Sequence, residues 1–524
     1  MTNDKANTLS KSRYCKGVQC SKMLWLGNHP EIAKPTPVDP MVQMRFDVGQ
    51  RVGDLAVEYF GDFLEMDYRV DYSEEKEEMI AATKALMDKN VPIIAEASFS
   101  FDNNFCSVDI LRVVEGGHEL IEVKSSSFYP EGTCEDIKNE KKKYIYLHDM
   151  AYQVYVLSQL GISIKSVSLM MLNRKYVKGG ELDVQELFVL VDCTEEIFSM
   201  LPDVPKKIEE IKREAYQEME PDKDVGIHCF RPYECGFREY CFSHLPEDNI
   251  FTVGWEMRVK KQEELYKEGW LEFGDIARGI SLGDIELTAK QERHVRTKVD
   301  NLDPHIDKIA VGEFLSQLRF PLYFLDFESF QQAIPEWDGV FPYRQIPFQY
   351  SLHIQQEDGG EITHKEFLAE EGTNPLWKIA KQLCQDIPMA EESSVLVYSQ
   401  VFEKGVIKNL AEQFPDLKEH LMWIHNHILD LAKPFQGGAY YSGEMGGSYS
   451  IKAVLPALFP DDPELDYGKL EFIQSGGDAM TIFPILHTKS PEEIAVLRKA
   501  LLEYCHLDTL AMVKIVEKLR EVVN

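Results

Sequence analysis

The stretch HELIEVKSSS, residues 118–127, decides how this chain is read. It has the aliphatic content of a strand, yet it carries a glutamate and a lysine two positions apart. Strand side chains alternate between faces, so Leu120, Glu122 and Lys124 share one face while Ile121 and Val123 share the other. Charges flanked by aliphatics need a partner or a chemical role, because burying a lone charge is costly. Upstream, FCSVDILRVV (105–114) reads as a second strand carrying Asp109, joined through the turn EGGH (115–118). PIIAEASFSF (92–101) reads as a third, carrying Glu96. Adjacent strands bring Asp109 close to Glu122 and Lys124. Three carboxylates converging from buried strands repel one another unless a divalent cation sits between them. Mg2+ or Mn2+ suits the all-oxygen set of Glu96, Asp109 and Glu122. Such an ion lowers the pKa of water and stabilises charge on a phosphate, and Lys124 would position that water or steady the charge. A hairpin with a surface Glu–Lys pair has the same spacing and stays open at this level.

The bulk composition bounds the rest. A chain of 524 residues, 44% apolar, has material for two or three domains with full cores. The net charge of −32 is a poor match for a protein coated in nucleic acid, whose binding is driven by lysine and arginine. It leaves room for a local groove in which bound cations set the field. The start, MTNDKANTLSKSRY (1–14), is polar and lacks the apolar core of a signal peptide, and no apolar run has spanning length. The expectation is a soluble, cytoplasmic protein with no membrane partner. Ten cysteines in such a chain argue against a disulfide framework and for metal or redox use.

Three zones follow along the chain. Residues 1–248 mix helical and strand-like segments and end in a cysteine-rich stretch. Residues 249–312 are charged and helix-prone, with two Gly-Asp-Ile copies in EFGDIARGISLGDIEL (272–287) that read as turn chemistry. Residues 313–524 open with an apolar strand, RFPLYFLDFESF (319–330), and close with a helix-like run, RKALLEYCHLDTLAMVKIVEKLREVV (498–523). The charged run KKIEEIKREAYQEMEPDKD (206–224) reads as a solvated helix face.

Asp109 followed by Glu122-Val123-Lys124 resembles the PD-(D/E)XK nuclease signature, closest in detail to RecB-like exonucleases, the CRISPR-associated ones included. The helical segment HDMAYQVYVLSQLG (148–161) is similar to that family's Gln-Tyr motif through Gln153, with Tyr152 and Tyr155 nearby and Leu157 where the tyrosine usually stands. The early-helix histidine of many relatives is absent from FDVGQRVGDLAVEYF (46–60), where Asp54 or Glu58 is the substitute on offer. The resemblance implies metal-dependent phosphodiester cleavage at Glu96, Asp109, Glu122 and Lys124, with Gln153 in support.

CKGVQCSKMLWL (15–26) supplies Cys15 and Cys20, and HCFRPYECGFREYCFSH (228–244) supplies Cys229, Cys235 and Cys241 with five residues in each interval. Structural zinc sites usually use closer pairs. Wide, even spacing with one distant N-terminal partner fits a cluster that staples the two ends of a domain. The arrangement resembles the iron–sulfur staple of the same RecB-like nucleases. That resemblance implies a 4Fe–4S cluster on Cys20, Cys229, Cys235 and Cys241, with Cys20 preferred to Cys15 because CSKMLWL is similar to the family's segment. Zinc is the alternative occupant. Cys106, Cys134, Cys193, Cys384 and Cys505 read as plain core or surface residues.

YFLDFESF (323–330) puts Asp326 and Glu328 on one face of an apolar strand, and YCHLDTLAM (504–512) puts Tyr504 and Asp508 four apart on one helix face. VLVYSQVFEKGVIKNLA (395–411) between them carries Glu403, and HILDLAKPF (427–435) carries Asp430. The set resembles the DEDD exonucleases of RNase H-like fold, in the subtype with a tyrosine in the third motif. The resemblance implies two-metal phosphodiester cleavage, with Asp326, Glu328 and Asp508 as ligands and Tyr504 orienting the attacking water. Glu403 stands where the second motif has aspartate, and Asp430 is the competing ligand. In GEMGGSYSIKAVLPALFP (443–460) and just before it, Tyr449, Lys452, Tyr440 and Tyr441 could stack on bases, hold phosphates or simply pack a core loop. This half resembles an uncharacterised bacterial domain family found behind RecB-like nuclease domains.

The expected protein is therefore α/β, with a PD-(D/E)XK restriction-endonuclease-like lobe and its iron–sulfur staple over 1–248. A helical linker over 249–312 and an RNase H-like DEDD exonuclease lobe over 313–524 complete it. Its expected activity is metal-dependent, exonucleolytic cleavage of nucleic acid, with DNA ahead of RNA. The alternative is a catalytically impaired nucleic-acid-binding subunit with a protein partner in a repair or defence complex.

Overall fold

Gly117–Phe128 forms a long strand, and helices cover both faces of the sheet around it. The computed structural model describes residues 8–37, 40–61, 68–140 and 142–523; residues 1–7, half of the polar N-terminal stretch, lie outside them. The chain is mixed α/β and divides into two units, Met1–His244 with Gln332–Tyr343, and Leu245–Gln331 with Arg344–Asn524.

The first unit holds β1 (Leu9–Ser10), β2 (Ile93–Phe101), β3 (Asn104–Val114), β4 (Gly117–Phe128), β5 (Ile164–Asn173) and β6 (Phe188–Asp192). The order is β1-β3-β4-β5-β6, with β2 paired to β3. β2, β3 and β4 run antiparallel in sequence; β4 and β5 are parallel, joined by a crossover that contains the helix Tyr144–Gln159. Leu111, Leu120 and Val167 face a core shared with Met150, Tyr152, Val154 and Ile208. Ile110, Ile121 and Met170 face a second core with Val52 and Ala56 of the helix Pro40–Glu58. Burial on both faces is why these strands read as nearly continuous apolar runs. The 206–224 run is helical only through Ala215; Val204, Ile208, Ile211 and Ala215 of the helix Val204–Ala215 form its buried stripe, and the charges lie outside it.

The second unit holds β7 (His305–Ile306), β8 (Leu322–Gln331), β9 (Gln345–Gln355), β10 (Ile362–Leu368), β11 (Ser394–Val397), β12 (Ile428–Asp430) and β13 (Tyr440–Tyr441). Its main sheet has the order β10-β9-β8-β11-β12; β10, β9 and β8 are antiparallel, and β8, β11 and β12 are parallel. β7 pairs with β13 separately. The C-terminal helix Pro491–Val523 has 33 residues, roughly 50 Å of length. It starts with proline, followed by Glu492 and Glu493, both favoured in a first turn.

The stretch expected as a linker is built differently. Helices Val259–Lys267, Phe273–Leu282 and Ala289–Asp300 pack Leu265, Phe273, Ile276 and Val295 into a small core of their own, within the second unit. The first Gly-Asp-Ile copy is not a turn: it opens the helix Phe273–Leu282, and only Gly283 of the second copy ends it, at φ 81°. Residues 332–343, between β8 and β9, belong with the first unit through Ala333, Ile334 and Tyr343. No helix among the described residues is long and apolar enough to cross a membrane.

Candidate functional site

In the first unit, strand register brings the acids together. The β3–β4 pairing of Ile110 with Ile121 sets Asp109 opposite Glu122, and Asp109 Oδ2 accepts the Val123 amide at 2.8 Å. The β2–β3 register sets Glu96 opposite Asp109 at a break in the ladder, where Glu96 takes φ 57°, a strained conformation for a residue with a side chain. Glu122 is fully buried. Its Oε1 accepts Lys124 Nζ at 2.5 Å and its Oε2 accepts Gln153 Nε2 at 2.6 Å. Asp149, four residues before Gln153 on the same helix, accepts Gln153 Nε2 at 3.0 Å and Lys124 Nζ at 3.1 Å. Burial and the Glu122 charge push Asp109 up to about 7. Burial would raise Glu122 too, but Lys11 and Lys124 hold it well below the usual carboxylate range. Burial also raises Glu96.

Lys11, at the start of the helix Lys11–Gln19, stands in the position that a cation would take. Its Nζ lies 3.1 Å from Asp109 Oδ1 and 3.3 Å from both oxygens of Glu122. The pocket thus carries a built-in ammonium, and its donor set fits a divalent ion once that side chain withdraws. Lys11→Met removes the ammonium that contacts both half-buried Asp109 and buried Glu122 and leaves Lys124 alone on Glu122, an expected loss of about 1.5–3 kcal/mol in the metal-free protein. Mn2+ should restore most of it and bind more tightly than to the unaltered chain. Denaturant unfolding with and without Mn2+ checks this; equal stability and equal Mn2+ affinity would exclude the role.

Other expected members fall elsewhere. Tyr152 turns into the core, donating to the Leu9 carbonyl and stacking on Tyr14 with ring centroids 4.6 Å apart. Asp54 is exposed and paired with Arg69 at 2.7 Å, and Glu58 is exposed.

Cys20, Cys229, Cys235 and Cys241 line one cavity, with Lys22, Val225 and Phe237. Cys20 caps the helix Ser21–Asn28, and Gln19 beside it donates to the carbonyls of His228 and Tyr233 at 2.9 and 2.7 Å. Burial and neighbouring thiols push Cys229 up to about 12 and Cys241 to about 11. Four thiols crowded into one cavity, with burial raising Cys229, Cys235 and Cys241, are a donor set that a cationic cluster would neutralise, so the residues fit the implied group. Cys15 lies apart from them, under the charges of Asp149, Lys124 and Glu122.

In the second unit, one carboxylate oxygen each from Asp326, Glu328 and Asp508 lie within 4.8 Å of one another. Asp326 and Glu328 come from the central strand β8, Asp508 from the helix Pro491–Val523 packed on it. Glu403, in the first turn of the helix Gln400–Gln413, is buried, and its Oε2 has no hydrogen-bond partner. Burial, Asp508, Glu328 and Glu403 raise Asp326; burial, Asp508 and Glu403 raise Glu328. Burial and the charges of Asp430 and Asp508 push Glu403 up to about 8, and burial pushes Asp508 up to about 6 against the Tyr467 hydrogen bond and Lys452. Tyr467 Oη donates to Asp508 Oδ1 at 2.5 Å, and the Cys505 thiol lies 3.7 Å from Asp326 Oδ2. Lys452 Nζ sits 5.4 Å over the Tyr467 ring and 5.7 Å over the Tyr504 ring. Gly476 comes close enough that a Cβ there would meet Glu328 Oε2 at 3.5 Å. Buried acids crowded this closely, one of them with an orphaned oxygen, fit divalent cations.

Asp430 is engaged differently: its carboxylate accepts the amides of Ser399, Gln400 and Ala432 at 3.0, 3.2 and 3.0 Å. It holds the turn that leads into the Glu403 helix. Tyr440 and Tyr441 are buried in the core and offer no face to a base, while Tyr449 bonds Glu256 and stacks on Trp255.

The raised acids set a pH dependence. In chelator, the folded chain keeps protons on Asp326, Glu328 and Glu403 that the unfolded chain releases above about pH 4. The folded state then binds more protons, so its stability falls as pH rises between about 5 and 8. The expected slope in melting temperature is shallower in Asp326→Asn and is reduced by saturating Mg2+, with Asp109 and Glu96 of the first unit contributing the remainder. A slope identical in the variant would contradict the crowding.

Lys11, Asp149 and Tyr467 went unrecognised in the sequence. Asp149 had a signal, its i,i+4 spacing to Gln153; Lys11 and Tyr467 had none.

Residues 323–450 match the model of a family described as a domain of unknown function, DUF2779. The match takes in Asp326, Glu328, Glu403 and Asp430 and stops before Tyr504 and Asp508. An uncharacterized protein of Ureaplasma parvum serovar 3, UU173, is 28% identical over 170 residues, 30% of this chain and 24% of that protein. The chain thus aligns with about a quarter of that curated relative's length. No solved structure matches. The matches fit an uncharacterised bacterial family.

Proposed function

We propose that the chain is a metal-dependent nuclease with two lobes, each built to cleave phosphodiester bonds of nucleic acid. The observation that carries this reading is the group of half-buried Asp326 with buried Glu328 and Asp508, whose ligand oxygens lie within 4.8 Å. The order of the surrounding sheet, three antiparallel strands continued by two parallel ones, supports the RNase H-like resemblance. Divalent cations, when bound, supply an activated water and neutralise charge on the phosphate.

The chain's own groups do the rest. Asp326, Glu328, Asp508 and Glu403 would hold Mg2+ or Mn2+. Tyr467 fixes one oxygen of Asp508, and Tyr504 also hydrogen-bonds that carboxylate, so the two phenols orient it in the pocket. Lys452, over two phenol rings, offers positive charge to a phosphate, and Tyr504 would orient the attacking water. In the first unit Asp109, Glu122 and Glu96 would be the ligands, and Gln153 fixes the Glu122 carboxylate. Lys124, restrained by Glu122 and Asp149, would steady the developing charge. The four thiols would hold a 4Fe–4S cluster, or zinc, that ties the N-terminal helices to the 229–241 loop. A strand end as target and DNA as substrate rest on the family resemblances.

A second reading has one observation in its favour: the Lys11 ammonium lies between Asp109 and Glu122. A first unit that keeps it there would bind nucleic acid without cutting, as a subunit of a repair or defence complex. End-labelled oligonucleotides digested in Mg2+ and Mn2+ by the unaltered chain, Glu122→Gln and Asp326→Asn separate the two. Cleavage lost only in Asp326→Asn leaves one working lobe, and no metal-dependent cleavage in any form overturns the nuclease.

A further inference from the structure

His353, His364 and His506 meet in the second unit outside the acid pocket, and the nuclease reading makes no use of them. His353 on β9 and His364 on β10 are direct cross-strand partners. His506 reaches them from the helix Pro491–Val523. The ring centroids are 4.6, 4.8 and 4.4 Å apart. One nitrogen from each ring lies within 4.8 Å of the other two.

We propose that these three histidines form a site for a borderline divalent transition metal, zinc foremost, distinct from the acid pocket. Imidazole nitrogen suits zinc, whereas the oxygen-only acid pocket suits Mg2+ or Mn2+. Two nitrogens on a tetrahedral zinc, each at ~2.0–2.1 Å, stand about 3.3 Å apart. His506 Nδ1 and His364 Nε2 are separated by 3.3 Å. His353 Nδ1 is held by Thr509 Oγ1 at 2.8 Å, a bond that fixes the ring and leaves Nε2 for a metal. Thr509 is itself tied to Ser351 Oγ at 2.6 Å and to the His506 carbonyl at 3.1 Å, so the support is fully buried and oriented. A cleft of about 430 Å³, lined by His364, His506, Glu366, Lys499 and Glu503, provides entry and room for a water as fourth ligand. Ser351 Oγ, 2.9 Å from His364 Nε2, takes part in the metal-free hydrogen-bond cluster; the metal would replace that one bond while Ser351 keeps its tie to Thr509. The bound ion pins the helix that carries Tyr504 and Asp508 onto β9 and β10.

The full-length chain, stripped with chelator and dialysed against low zinc, is assayed for zinc by mass spectrometry and for thermal unfolding. His364→Ala and His506→Ala are each expected to lose one zinc per chain and the zinc-induced rise in melting temperature, with unchanged far-ultraviolet dichroism. Asp326→Asn/Asp508→Asn keeps that zinc. Thr509→Val, nearly isosteric, weakens zinc affinity ~10–100-fold while folding normally. Zinc content equal in the unaltered chain and both histidine variants overturns the site and leaves a hydrogen-bonded cluster only. Loss of the same zinc in the Asp326→Asn/Asp508→Asn chain also overturns it and assigns the metal to the acid pocket.

Discussion

Asp326→Asn, placed in the Glu122→Gln background so that only one lobe is tested, is expected to lower Mn2+-dependent cleavage of end-labelled DNA by about 10³-fold or more. A cation that activates water and neutralises phosphate charge supplies several kcal/mol of transition-state stabilisation, and ~4 kcal/mol corresponds to about three decades in rate. Asp326 shares its pocket with Glu328 and Asp508 within 4.8 Å, so losing its charge weakens the hold on the metal directly. The same substitution should raise the melting temperature in chelator, because it removes one of several buried carboxylates that repel one another. A residue that merely packs would show a lower melting temperature together with the lost activity. Full cleavage by the Asp326→Asn/Glu122→Gln chain would end the proposal for this pocket.

Cys229→Ser is expected to have the other large effect. After anaerobic purification the unaltered chain should be coloured and contain iron; the variant should be colourless and iron-free. Loss of a structural metal centre belongs to the few single changes costing more than about 4–5 kcal/mol. The damage should concentrate where the thiols converge, so limited proteolysis ought to open residues 220–244 and the helix Ser21–Asn28 before the sheet. Cys15→Ser, whose thiol lies near the acid pocket instead, should keep colour and iron. A colourless unaltered chain holding zinc that Cys229→Ser loses would reassign the four thiols to zinc. Unchanged iron and spectrum in Cys229→Ser would remove the staple altogether.

Legibility followed the range of the interaction. Local period was enough to recognise β4 with Glu122 and Lys124, β8 with Asp326 and Glu328, and the helix face shared by Tyr504 and Asp508. Two-residue alternation and i,i+4 spacing are written into consecutive residues. The cysteine intervals were equally local. Register between neighbouring strands was nearly so: the short turn between β3 and β4 leaves little freedom, and Asp109 comes to face Glu122.

What the sequence by itself determined, then, is which elements carry the acids, the thiols and the lysine, because each of those patterns spans a few residues. Only the tertiary structure decided what meets them. Lys11 reaches Asp109 and Glu122 across 98 and 111 residues. Tyr467 meets Asp508 across 41, and Thr509 meets His353 across 156. It also decided that residues 249–312 build a helical core within the second unit, that residues 332–343 return to the first, and that Asp430 holds a turn. Such contacts arise from packing and sheet order, which bring distant segments together by burying apolar area and leave no period in the chain.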